Sequence, residues 1–354
     1  MPRKRLYVEK VDFRMYEQDL KRIISSVENI GRSPNAENFN IAVGVNEKFV
    51  APLGIMLTSL AINNPKREID VNIGTSDISA DSIDRLKKFV ERYSNISINI
   101  YHIDGETLAD YVGRKNPTAA YYRVVMATVL YPAVKKLLYM DVDTLFLGKI
   151  EDFEAIEFGD KTFFAVEDTL RGISLKEHKE ELGLGKEDKY FNSGVMYIDL
   201  KKWHENNISE KVIEMLHERA MGIRTFSFMD QGAMNSVTVG LWGELSDRLH
   251  LMIPVLREKY KGKLLEDTVI LHYAGAYKPW KFTSEGELAE LSENCVDVAL
   301  FDKYRKESLW ADFYGYQKRY TTLRLISRWM MIKGEWGLFI KWYIKYLLCK
   351  YKMD

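Results

Sequence analysis

Asp141 and Asp143 stand two residues apart inside an apolar run, residues 137–146. A run of that length predicts a strand, in which residues i and i+2 share a face, so both carboxylates project to one side. Two carboxylates that close repel each other unless a cation joins them. Such an oxygen pair suits a hard divalent metal, which would in turn hold an anion such as phosphate. The triplet admits two other readings. One is a strand running out into a solvated loop with both acids exposed. The other is the D-x-D-x-T nucleophile of aspartate-based phosphatases, a chemistry that also needs a downstream acidic pair, and no Asp-Asp pair follows.

Other positions carry matching chemistry. His272 lies near the end of the apolar run 269–273, and Lys278 follows in a glycine-containing loop. Imidazole plus two carboxylates makes half a shell for manganese, with phosphate oxygens to complete it. Arg123 sits among Tyr121, Tyr122, Val124 and Val125 in a predicted helix over 118–130, as a partly enclosed cation for an anion. Asn192, Ser193 and Gly194 interrupt the predicted strand 190–198, which marks either a close ligand or a simple bulge. Asp230 is placed to cap a helix running through Asn235. Neither a Walker A pattern nor G-x-G-x-x-G occurs, so phosphate would be held by metal and side chains.

The elements that must position these residues read as β-α-β-α-β: strands at 40–45, 69–74 and 96–101, with helices after 49 and over 77–93, capped by Ser79 or Asp81. That order predicts an α/β fold with a mainly parallel, twisted sheet covered by helices, its ligand at the carboxyl ends of the strands. Asn46 to Phe49 and the acidic pair both fall on that edge. A further strand is predicted at 162–166, followed by Glu167 and Asp168 and then by a charged loop with a short helix. Residues 1–38 read as an added N-terminal segment, with helical spacing over 16–27 and a linker over 31–38.

The chain has 354 residues, 46% hydrophobic and 29% charged, with 51 basic against 51 acidic side chains. A neutral whole draws neither nucleic acid nor membrane by its global field. The two cysteines, Cys295 and Cys349, predict no disulfide framework, which points to a reducing cytoplasm. No apolar segment follows the basic start, so no signal peptide is expected, and no transmembrane helix is predicted. Residues 303–354 carry twelve Lys/Arg against four acids. In this tail Trp336, Ile340, Tyr343, Leu347 and Tyr351 recur at helical spacing, and Lys341, Lys345 and Lys352 form another stripe. The pattern describes an interfacial helix on an anionic membrane, or a helix docking its aromatic face on the core.

Five segments together resemble glycosyltransferase family 8: residues 138–143, 191–195, 200–203 (Leu-Lys-Lys-Trp), Asp230-Gln231, and 272–280 (H-Y-A-G-A-Y-K-P-W). The resemblance spans 39–282 and is nearest to bacterial lipopolysaccharide glucosyl- and galactosyltransferases. It implies a GT-A nucleotide-sugar domain over 39–282, with 283–354 as a helical C-terminal region. It also implies transfer of a hexose from UDP-glucose or UDP-galactose to a saccharide acceptor, possibly lipid-linked, with retention of configuration. Carried over, Asp141, Asp143 and His272 hold Mn²⁺, with Mg²⁺ as the alternative. Lys278 and Gly275 contact the pyrophosphate. Arg123, Asp168, Asn192, Ser193, Gly194, Asp230 and Gln231 surround the donor sugar, Gln231 occupies the β-face position, and Phe49 stacks on uracil. The family commonly has aspartate where this chain has Asn46, whose amide still offers both donor and acceptor to an imide edge. A transferase for protein-linked glycans and a non-catalytic UDP-sugar scaffold are the rival readings.

Overall fold

The computed structural model describes residues 17–35, 37–114, 118–168, 172–275, 277–281, 285–313 and 320–351. Eleven strands occur among them: β1 Ile24–Ile30, β2 Phe39–Gly44, β3 Ile69–Thr75, β4 Ile96–Ile103, β5 Lys136–Met140, β6 Thr144–Phe146, β7 Phe163–Ala165, β8 Val195–Asp199, β9 Trp242–Glu244, β10 Leu251–Met252 and β11 Ile270–His272. Eight form one sheet in the order β1-β4-β3-β2-β5-β8-β7-β9, and three form a small second sheet, β10-β11-β6. The large sheet is parallel from β4 through β3 and β2 to β5 and antiparallel where β1 and β8 join.

Alternation along the strands builds two cores. Leu138 and Met140 of β5 face one side with Ile41, Val43 and the helix Val50–Asn63, while Leu137 and Tyr139 face the other with the helix Tyr122–Val129. β3 is buried along its whole length although its sequence alternates: Ile69, Val71 and Ile73 pack in the core, while Asp70, Asn72 and Thr75 are buried polar residues. The helix Ala80–Arg92 is capped by the Ser79 side chain, which accepts a hydrogen bond from the Ser82 amide.

Three expectations need correction. The helix expected over 16–27 ends at Arg22, and Ile24–Ile30 pairs antiparallel with β4 as a strand at the edge of the large sheet. Its sparse apolar spacing fits a strand whose outer face is wet, and a short window cannot separate that from a helical stripe. The apolar run 137–146 is not one strand. It breaks after Met140, and the two halves belong to different sheets. Asp230 lies inside the first turn of the helix Met229–Val237 and does not cap it; the preceding Phe228 takes the left-handed conformation, φ 56°.

The C-terminal helices Tyr320–Lys333 and Trp336–Tyr351 pack on each other, the first also meets the helix Ile253–Glu258, and Lys333, Lys341 and Lys345 reach the helix Glu285–Asn294. Trp310 presses against the helix Val50–Asn63 at Gly54, where a Cβ would lie 2.1 Å from the indole. Arg257 is buried between the rings of Tyr277 (4.0 Å) and Trp329 (4.3 Å) and pairs with Asp297 at 2.8 Å. In the last helix Trp342 and Tyr346 are buried, whereas Trp336, Ile340, Tyr343, Ile344, Leu348 and Tyr351 are exposed. Lys341 and Lys345 bond Glu290 and Glu287, so these lysines tether the helix to the core and do not form a free basic stripe. Lys352 lies outside the described residues. None of the described helices is long and apolar enough to cross a membrane.

Candidate active site

The site forms where the chain leaves one sheet for the other. The Asp141 amide donates to the Gly194 carbonyl (2.7 Å), the last link along β5. Three residues later β6 begins, with Thr144 opposite His272 of β11. The Tyr273 amide donates to the Asp143 carbonyl at 2.9 Å. This crossover, not strand alternation, brings Asp141, Asp143 and His272 together, and one ligand atom from each lies within 4.8 Å of the others. Gly194 leaves the room they need: a Cβ there would sit 2.3 Å from His272 Cε1 and 2.8 Å from Asp141 Oδ2. Two carboxylates and an imidazole crowded around a position that no side chain may enter fit a divalent cation with O/N ligation.

Fixed charges surround this cluster. Lys278 bonds the Asp143 carboxylate and the Tyr273 carbonyl. Burial opposes ionisation of Asp143, but Lys278 and His272 hold its carboxyl well below the usual range. Burial pushes Asp141 up, against the pull of Arg123. Arg123 is buried and fully engaged: it reaches Asp141 at 2.9 Å, Asp230 at 3.0 Å and the Ser193 hydroxyl at 2.6 Å. Burial works against its charge, yet these carboxylates keep the guanidinium protonated. Asp230 is raised by burial and eased by Arg123. His272 Nδ1 lies 2.8 Å from Nε2 of His250, a buried ring whose own pKa burial drives down.

Beside the acids, polar groups hold Gln231 at both ends of its amide. Its Oε1 accepts from the Ser193 amide (3.2 Å), and its Nε2 donates to Tyr190 Oη (3.2 Å) and Asp168 (3.4 Å). Asn192 donates to Asp168 at 3.5 Å and accepts from the Gly194 amide at 3.0 Å. The expected strand 190–198 starts only at Val195; residues 190–194 form a loop that turns these polar groups inward.

The acids, His272, Lys278, Arg123, Asn192 and Gln231 open on one cavity of about 330 Å³, the size of a small-ligand site. Every site residue expected from sequence lines it except Asn46 and Phe49. Those two stand at the end of β2, and Phe49 meets Trp280 edge-on, beside the Lys278 loop. Asn46 Oδ1 is buried with no hydrogen-bond partner among the described residues. Sequence reasoning missed Phe228, Met229, Met252 and Pro254 in the lining, and His250 and Tyr190 behind it. Apolar lining leaves no motif, but His250 was one of only six histidines and invited a question.

A mixed sheet whose acidic pair marks the crossing to a second sheet, over a cavity of amides and carboxylates, defines a GT-A type transferase. The chain belongs to glycosyltransferase family 8, whose model matches residues 40–284. It is 26% identical to a lipopolysaccharide 1,2-glucosyltransferase of Escherichia coli over 82% of this chain and 87% of that protein. It is 30% identical to general stress protein A of Bacillus subtilis over 69% and 88% of the two chains. Among solved structures it resembles the galactosyltransferase LgtC in complex with donor and acceptor sugar analogues (TM-score 0.60, 19% identity, 77% of this chain and 96% of that one). It also resembles the bifunctional glycosyltransferase WbbM (TM-score 0.64, 16% identity), of which it spans 53% while 81% of this chain is covered.

Proposed function

We propose that the protein moves glucose or galactose from a UDP-sugar to a lipopolysaccharide-type saccharide, with retention of configuration and with Mn²⁺ at Asp141, Asp143 and His272. The convergence of these three side chains on the cavity that holds Gln231 carries the reading. The ion supplies Lewis-acid neutralisation of pyrophosphate charge. Lys278 binds the pyrophosphate after leaving Asp143. The open acceptor of Asn46 pairs with the uracil imide and Phe49 stacks on its ring, supported by their place at the end of β2. Asp168 and Asn192 orient the sugar hydroxyls.

Retention by double displacement needs a free carboxylate on the β face. Gln231 is an amide there, and Asp230 is committed to Arg123. A front-side route suits these facts. The acceptor oxygen bonds to the anomeric carbon on the face UDP leaves. The carbon–oxygen bond to phosphate breaks with its electron pair going to UDP, and the hydroxyl proton passes to that phosphate oxygen. Gln231, locked by Ser193 and Tyr190, stabilises the oxocarbenium-like state.

The exposed apolar stripe of the last helix, with Lys350 exposed on that helix and Arg324 and Arg328 exposed on the helix packed against it, supports peripheral attachment to an anionic membrane at its cytoplasmic face. A lipid-linked acceptor would then be met at the surface. The deciding experiment incubates the protein with Mn²⁺, a panel of UDP-hexoses and a lipopolysaccharide core acceptor, following UDP release and the product anomer by NMR. Turnover of one UDP-hexose to an α-linked product is expected. A β-linked product, or no turnover with any UDP-sugar, would defeat the reading.

A further inference from the structure

We infer that His250 is the positioning residue that sets the tautomer and ring orientation of His272, an inference that rests on the metal reading of Asp141, Asp143 and His272. His250 immediately precedes β10, which runs parallel to β11 with Met252 opposite His272. The two rings meet edge to edge, their planes 26° apart and their centroids 5.1 Å apart, and His250 Nε2 lies 2.8 Å from His272 Nδ1. Both side chains are buried, 1% and 3% exposed. The other nitrogen of His272, Nε2, faces Asp143 Oδ1 at 3.4 Å.

One proton lies between the two rings, and its position decides what His272 can do. A ligating imidazole presents a lone pair, so Nε2 must be bare and Nδ1 must carry the hydrogen. That hydrogen needs an acceptor, and the atom in place to accept it is Nε2 of His250. His250 then carries its own hydrogen on Nδ1, which has no hydrogen-bond partner among the described residues. With no cation present, the opposite direction is open. His272 keeps its hydrogen on Nε2 toward Asp143, and His250 donates from Nε2. Both arrangements hold the same number of protons, and each keeps the 2.8 Å bond. His250 thus lets His272 change tautomer without turning its ring. An apolar side chain there would leave a buried Nδ1–H unpaired in the ligating tautomer.

The test compares His250→Met with His250→Gln, side chains of similar size of which only glutamine carries an acceptor. Mn²⁺ affinity is measured by electron paramagnetic resonance with UDP present, alongside UDP affinity without metal. Removing a partner behind a metal ligand costs roughly 10–100-fold in metal affinity. The methionine variant is expected to lose that much, the glutamine variant to bind Mn²⁺ close to wild type, and both to keep metal-free UDP binding. Wild-type Mn²⁺ affinity in His250→Met, or equal losses in both, would overturn the inference. Should His250→Met not fold by circular dichroism, His250→Asn, whose amide falls short of His272, replaces it with the same expectation. If wild-type protein binds no Mn²⁺, or His272→Ala binds it equally well, the metal reading itself falls, a result distinct from either.

Discussion

Arg123 shows how a single residue changes meaning between sequence and structure. It was expected to bind an anion from the substrate, and the anions it binds are Asp141 and Asp230. Removing one partner from a buried charge cluster costs about 3–5 kcal/mol. Arg123→Met should therefore lower denaturant stability by that order, besides losing transfer; an unchanged midpoint would mean the guanidinium is not the clamp described. Gly194→Ala is expected to keep the fold and lose metal binding, because its Cβ would overlap His272 and Asp141. Calorimetric titration with Mn²⁺ and UDP reads this directly. Asp143→Ala, or excess chelator, should abolish transfer with an unchanged circular dichroism spectrum. Gln231→Ala should keep partial activity under the front-side route, and a trapped glycosyl adduct on Asp230 would replace that route with double displacement.

At the level of elements, local pattern served well where one element does one job. Strands β2, β3 and β4, and the helix capped by Ser79, follow directly from short segments of alternating or apolar residues and a capping serine. It failed where one apolar run serves two sheets. Residues 137–146 look continuous because both halves are buried, and periodicity does not reveal a change of partner. Asp141 and Asp143 converge because the chain crosses from one sheet to the other between them, and not by strand alternation. The tail was legible as a helix with an apolar stripe, but the docking aromatics are Trp342 and Tyr346, and two of the three lysines of the expected stripe are taken up by Glu287 and Glu290. This alters the natural experiment. Deleting everything from 320 would strip Leu323, Ile326, Trp329 and Met330 from the core. Ile340→Ser with Ile344→Ser and Leu348→Ser should instead release the protein from anionic vesicles and leave UDP-sugar hydrolysis unchanged. Equal vesicle binding by this variant at low salt would assign the exposed stripe another purpose.

Across the whole molecule, the ligand edge was predictable from strand order alone, since the carboxyl ends of β2 and β5 meet there as in other open α/β sheets. What stayed hidden was long-range pairing: His250 with His272, Tyr190 with Gln231, and Trp329 with Arg257. None of these has a local signature, because each partner is supplied by a different part of the chain. The last has a practical consequence for anyone recombining relatives to change acceptor. Arg257 is clasped by Tyr277, next to Lys278, on one side and by Trp329 of the C-terminal region on the other. The C-terminal region is therefore not an interchangeable cassette. A chimera joined at 320 sets the relative's residue in place of Trp329 against Arg257, beside the loop that carries Lys278, so where that residue offers no ring the donor affinity would change along with the acceptor. A junction at Gly334, after the helix that carries Trp329, keeps the clasp whole and exchanges only the outer helix.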